Sequence, residues 1–167
     1  VYNFTTKPSI YTLGQLFVTE SPDFVTTEKI ISGIIHNNLR LQNNLDMMEQ
    51  FKLASEAISQ MLVTLSSVFE DVYVYITEGN HSRISPKKEE SLNGENMVLI
   101  LPFYLKARLQ NCEKIHIEEN EDPVDIARFS VRGNVVMSSH GDKDSISNVL
   151  QNFTKMFGIK PDLVYLG

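Results

Sequence analysis

Apolar residues at Leu45, Met48, Phe51, Ala54, Ile58, Met61, Leu62, Leu65 and Phe69 recur at spacings of three and four. That period is helical, so a long amphipathic helix is predicted from about Asn44 to Phe69, with its methionines and phenylalanines in the core. The pattern then changes. Asp71-Val72-Tyr73-Val74-Tyr75-Ile76 alternates and is rich in β-branched and aromatic residues, which predicts a strand. Loops follow at Glu78-Gly79-Asn80-His81-Ser82-Arg83 and in the charged stretch SPKKEESLNGEN. A second helix is predicted over Asn96 to Gln110, with Pro102 either kinking it or marking its real start. Lys114 to Glu118 reads as a short strand. Ile126 to Val131 and Val135 to Ser138 read as a hairpin around Arg132-Gly133-Asn134, with Gly-Asn as its turn. After Ser139-His140-Gly141-Asp142 comes a third helix, from Asp144 or Ser145 to Phe157, closed by Gly158. Asp162 to Leu166 is predicted to be a final buried strand.

Helices and strands therefore alternate, without a repeat or a low-complexity linker, and the economical reading is one α/β domain over residues 1–167. The first thirty residues, with two prolines and short apolar pieces such as YTLGQLFV, permit strand or loop.

Composition narrows the function classes. A hydrophobic content of 42% in 167 residues supports one sizeable core. The longest apolar run, around Met97 to Leu105, is broken by Pro102 and is too short to span a bilayer, so no membrane role is expected. The start VYNFTTKPSI has no basic region leading into an apolar stretch, so no signal peptide is expected. The single cysteine, Cys112, excludes an internal disulfide framework and fits a reducing, cytoplasmic setting as a small buried side chain. In that setting the Asn-x-Ser/Thr matches at Asn3, Asn80 and Asn152 are coincidental. A formal charge of −6 argues against a broad nucleic-acid surface but leaves room for a local basic patch or a metal.

Candidate chemistry gathers after the strands, where ligands bind in open α/β sheets. Two histidines, His81 and His140, lie 59 positions apart, each in a loop that follows a predicted strand. Convergence of such loops on one rim is what a metal site needs. Imidazole and the amide oxygen of Asn80 both ligate divalent cations, and Gly79 would let the backbone turn to aim them inward. The plainer alternative is an ordinary Asn/Gly turn with an exposed histidine beside it.

In combination these segments resemble the calcineurin-like metallophosphoesterases, including the SbcD-like exonuclease branch. The family pattern runs Asp-x-His, Gly-Asp, Gly-Asn-His, a lone His and Gly-His-x-His, each after a strand. Gly79-Asn80-His81 resembles the third element, His140 in SSHGDKD the fourth, and DLVYLG the approach to the fifth. Ile31-Ser32-Gly33-Ile34-Ile35-His36, with the helix after it and the GNHSR and HGDKD loops, is similar to phage and prophage DNA repair exonucleases. The resemblance covers about residues 28–167; residues 1–27 are poorly matched.

The resemblance implies an α/β/β/α sandwich with mixed sheets and a phosphodiester substrate such as DNA, hydrolysed with two divalent ions, manganese being well suited. It implies that Asn80 and His140 ligate one metal and that His81 lies beside the scissile phosphate, protonating the leaving oxygen or stabilising its charge. Asp142 would orient His140, or cap a helix or serve the loop. Read from position alone, His36 would approach substrate or merely cap, and Arg83 would contact a nucleic-acid backbone or serve the loop. Arg83, Lys87 and Lys88 are offset at once by Glu89 and Glu90, which favours a solvated loop. His116, between Ile115 and Ile117, is expected on the far side of its strand without a ligand role.

The chain departs from the family pattern in several places. No Asp-x-His occurs, Glu28-Lys29 stands where Gly-Asp is expected, Ser82 replaces the common acidic residue, and the last motif stops at Gly167. The motif set is therefore expected to be incomplete at both ends, as in a partial enzyme domain. The alternative is a degenerate, non-catalytic remnant acting as a binding or self-associating module. A missing first strand would leave a sheet edge or apolar surface open, which predicts association with a second copy or with a partner.

Overall fold

The computed structural model describes residues 46–166 except 81, 86, 93, 121–125 and 142–144. Leu45, Glu28, His36, His81 and Asp142, with everything expected of residues 1–45, lie outside the described residues.

Helix α1 covers Met47–Ser66. Its start is set by Asp46, whose Oδ1 accepts the Met48 and Glu49 N–H groups, both at 2.9 Å. Glu49 reaches back to the Asp46 N–H at 3.2 Å and completes a capping box. Three backbone donors that the helix start would otherwise strand are thereby satisfied. Helical geometry stops at Ser66 rather than Phe69, although Val68 and Phe69 still donate to the Leu65 carbonyl. Ile58 and Leu62 are buried, flanked by Phe51, Met61 and Leu65. Met48 departs from the predicted core stripe and is 57% exposed, because it lies a turn ahead of Phe51, which packs on the core.

Strands β1, Val72–Val74, and β2, Ile115–Ile117, form a parallel pair with Tyr73 opposite His116. Both are shorter than the expected 71–76 and 114–118. The crossover between them contains a 3-10 turn, Met97–Leu99, that runs into helix α2, Ile100–Arg108. Pro102 is the third residue of α2, where its missing N–H has no helical acceptor to lose, so it marks the start and does not kink the helix. Val74, Ile76, Ile115, Leu101, Leu105, Leu109, Ile58 and Leu62 make one buried cluster, with Cys112 packed against it. On the surface Glu56 joins α1 to α2, accepting from the Tyr104 hydroxyl and from Arg108 Nε at 3.1 Å.

The second sheet has the order β3-β4-β5, with β3 Ile126–Val131, β4 Asn134–Ser139 and β5 Leu163–Leu166. β3 and β4 are antiparallel, β4 and β5 parallel. The hairpin turn is Arg132-Gly133, not Gly-Asn: Asn134 already pairs with Val131. Both turn residues have positive φ, 52° and 83°, the combination whose twist matches flanking strands. Helix α3, Val149–Phe157, begins later than Asp144 or Ser145 because the Ser145 carbonyl first accepts Asn148 and Val149 in a turn. It ends at Gly158, as expected. Ile126, Met137, Val149 and Phe153 form a second buried cluster.

β5 is not buried throughout. Val164 and Leu166 pack on the second cluster, while Leu163 and Tyr165 point the other way and are 47% and 38% exposed. In β4 both faces are covered, since Val136 and Met137 are each inaccessible. Tyr75 stacks on Phe129 of the second sheet, with centroids 4.5 Å apart and planes within 16°. The architecture is mixed α/β, with helices and two small sheets. Among the described residues no helix is long and apolar enough to cross a membrane.

Candidate functional site

The chain leaves β1 through Ile76 and reaches Gly79-Asn80, where the loop is held by its own backbone. The Gly79 carbonyl accepts two hydrogen bonds, from Ser82 Oγ at 3.0 Å and from Asn96 Nδ2 at 2.9 Å. Arg83 Nη1 donates to the Asn80 carbonyl. Ser82 accepts from the Met97 N–H at 2.8 Å, Ile84 donates to Glu95 at 3.1 Å, and Arg83 and Asn96 form an antiparallel bridge. The loop is thus folded back onto the segment that leads into α2. At the same end of the first sheet Asn120, after β2, donates to the Ile76 carbonyl at 2.8 Å.

His140 arrives from the other sheet. It follows Ser139 at the end of β4, whose last four residues are buried, and is followed by Gly141 at φ 86°. The covered strand and the left-handed turn together set where the imidazole emerges. His140 Nε2 lies 3.1 Å from Asn80 Oδ1. As a hydrogen bond this requires Nε2–H to donate to the amide oxygen. The ring also lies against Gly79: a Cβ there would meet Nδ1 at 3.4 Å. Gly79 itself does not adopt a left-handed backbone, so the tight turn expected there falls at Gly141 instead.

Two atoms bound at about 2.1 Å to adjacent corners of an octahedral ion lie roughly 3.0 Å apart. The Asn80–His140 separation fits that spacing, and nitrogen with oxygen suits a borderline divalent cation. To act as ligands the pair would need His140 Nε2 free of its proton, with the hydrogen on Nδ1, and would then supply two donors. Among the described residues no group of three or more His, Cys, Asp or Glu side chains is arranged to hold one.

The other candidates separate. Arg83 braces the Asn80 backbone, a loop role. Lys87 is paired with Glu90 at 2.7 Å with both side chains exposed, as a solvated loop would have it. His116 Nε2 sits 2.8 Å from Asp71 Oδ1, and its ring stacks on Tyr73 at 4.6 Å, on the side of β2 away from the Ile115 cluster. Asn96 and Ser82 had no site role in the sequence reading. Asn96 stands before a helix as a cap would, and its Oδ1 does accept the Val98 N–H at 3.2 Å, but its reach back to Gly79 has no local signature. No family model, curated protein or solved structure matches the chain.

Proposed function

We propose that this chain is a metallophosphoesterase-type domain that binds divalent metal through Asn80 and His140 and hydrolyses phosphodiesters, DNA of the phage exonuclease kind being the substrate class. The observation that carries the reading is the 3.1 Å approach of His140 Nε2 to Asn80 Oδ1, from loops that follow strands of two different sheets. The layer order of an α/β/β/α sandwich is supported by α1 and α2 packing on the Val74 side of the first sheet and α3 on the Met137 side of the second. The Tyr75–Phe129 stack lies between the sheets.

Manganese would suit the mixed ligands, and a pair of such ions, when bound, would supply an acidified water and neutralise phosphate oxygens. Asn80 and His140 would hold one ion, and His81 is assigned to the scissile phosphate by the family resemblance. Within this reading Asp142 would orient the His140 imidazole and His36 would approach substrate; capping roles for both are the plain alternatives.

Equilibrium dialysis against Mn²⁺ tests this on the wild-type chain and on Asn80→Ala and His140→Ala. Saturable binding that weakens at least tenfold in each variant, with unchanged far-ultraviolet circular dichroism, is expected. Absence of saturable binding in the wild type, or equal binding in the variants, would overturn it. Hydrolysis of bis(p-nitrophenyl) phosphate and of end-labelled DNA reads the enzymatic half. Manganese-dependent turnover lost in His140→Ala supports an enzyme, whereas saturable binding without turnover identifies a binding module.

A further inference from the structure

Asn96 is buried, yet both ends of its carboxamide are used by different parts of the chain. Its Oδ1 caps the turn that leads into α2, accepting the Val98 N–H at 3.2 Å. Its Nδ2 crosses seventeen positions to donate to the Gly79 carbonyl at 2.9 Å. Ser82, also buried, donates to that same oxygen at 3.0 Å. A carbonyl oxygen has two lone pairs, and here both are taken by side chains. The Gly79 carbonyl belongs to the peptide unit whose nitrogen is that of Asn80, so fixing that oxygen fixes the plane from which the Asn80 side chain departs. Buried donors are costly to leave unpaired, which holds the peptide in this orientation against rotation.

We infer that Asn96, together with Ser82, is a positioning residue of the Asn80–His140 pair, locking the Gly79 peptide so that Asn80 Oδ1 meets His140 Nε2. The inference builds on the ligand-pair reading for its metal arm, while its geometric arm stands without metal. Helix α2 is thereby tied to the site: the residue that opens the crossover helix also sets the amide on the neighbouring loop. Conserving the cap alone does not conserve the site, because the two functions use different atoms of one side chain.

Serine separates them. It is as good an N-cap as asparagine, but its hydroxyl is too short to cap and also reach Gly79. The test compares the wild-type chain with Asn96→Ser, Ser82→Ala and the double variant, by thermal unfolding, by imidazole ¹⁵N–¹H NMR of His140 without metal, and by Mn²⁺ dialysis. Asn96→Ser is expected to remain folded, with a melting temperature close to wild type. Its His140 signal should shift from a single Nε2–H tautomer toward the tautomer mixture of free histidine, most completely in the double variant. Where the wild type binds Mn²⁺, affinity should fall about tenfold or more, as when groups that orient a ligand are removed. An unchanged His140 tautomer in a folded double variant would overturn the inference. A wild type that binds no Mn²⁺ would sink the metal reading alone, since the metal-free tautomer still decides the positioning role.

Discussion

Alanine at Gly141 and alanine at Gly79 should have opposite effects, although both glycines touch the same imidazole's surroundings. At Gly141 φ is 86°, where a Cβ collides with its own backbone and costs about 1–2 kcal/mol. At Gly79 the backbone is not left-handed, and the nearest atoms to an added Cβ are Nδ1, Cγ and Cδ2 of His140 at 3.4, 3.5 and 3.6 Å. Those are ordinary contact distances. Alanine there restricts the unfolded chain and should stabilise by roughly 0.4–1 kcal/mol. The two variants are then separated by roughly 1.5–3 kcal/mol, which for a chain of this size corresponds to roughly 3–12 °C in melting temperature. Thermal unfolding followed by circular dichroism measures the gap. If Gly79→Ala falls as far as Gly141→Ala, the account of how the backbone aims His140 is wrong.

Other substitutions probe the supporting structure. Arg132→Asn places the side chain that best tolerates φ 52° before Gly133 and is expected to stabilise by about 0.5–1 kcal/mol in urea titrations; a loss would show that Arg132 is held for another reason. Phe153→Ala empties the second cluster and should cost about 3–5 kcal/mol, read as a lower urea midpoint with an unchanged slope. Hydrogen bonds from Tyr104 and then Arg108 hold the Glu56 carboxyl below its usual value, so its contribution is present above that value and is lost as pH falls through the depressed pKa. The Glu56 hydrogen bond, and after it burial, raises the Tyr104 phenol, whose contribution persists below its ordinary value and disappears as pH rises through the raised one. Tyr104→Phe should therefore flatten the melting temperature against pH at both the acid and the alkaline end, and an unaltered profile would refute the assignment.

Periodicity made most elements legible because each hides one face. The α1 stripe, the alternation in β1 and the helix closing at Gly158 all follow from local pattern. Where the reading slipped, the deciding partner lay elsewhere in the chain. β1 is short because β2 supplies only three residues to pair with, and β5 exposes Leu163 because it has cover on one face. The hairpin turn shifted by one residue since register, set by the pairing of Val131 with Asn134, overrides the appeal of Gly-Asn. Asn80 and His140 were singled out by residue type and by their places after strands, and the structure brings them together. The hydrogen bonds to Gly79 were invisible, because a carboxamide seventeen residues away carries no periodic signal.

The two apolar clusters are each contiguous in sequence, one drawn from residues 51–117 and the other from residues 126–166. Each can collapse from contacts close along the chain, whereas the Asn80–His140 contact spans 60 positions and joins one cluster's loop to the other's. Loop closure makes such a contact late in folding, and a local opening of the second cluster removes it while leaving Asn80 in place. The pair is thus a built-in reporter of cooperativity. The His140 Nε2–H signal in imidazole NMR should track the stability with which the two halves hold each other, not the stability of either half alone.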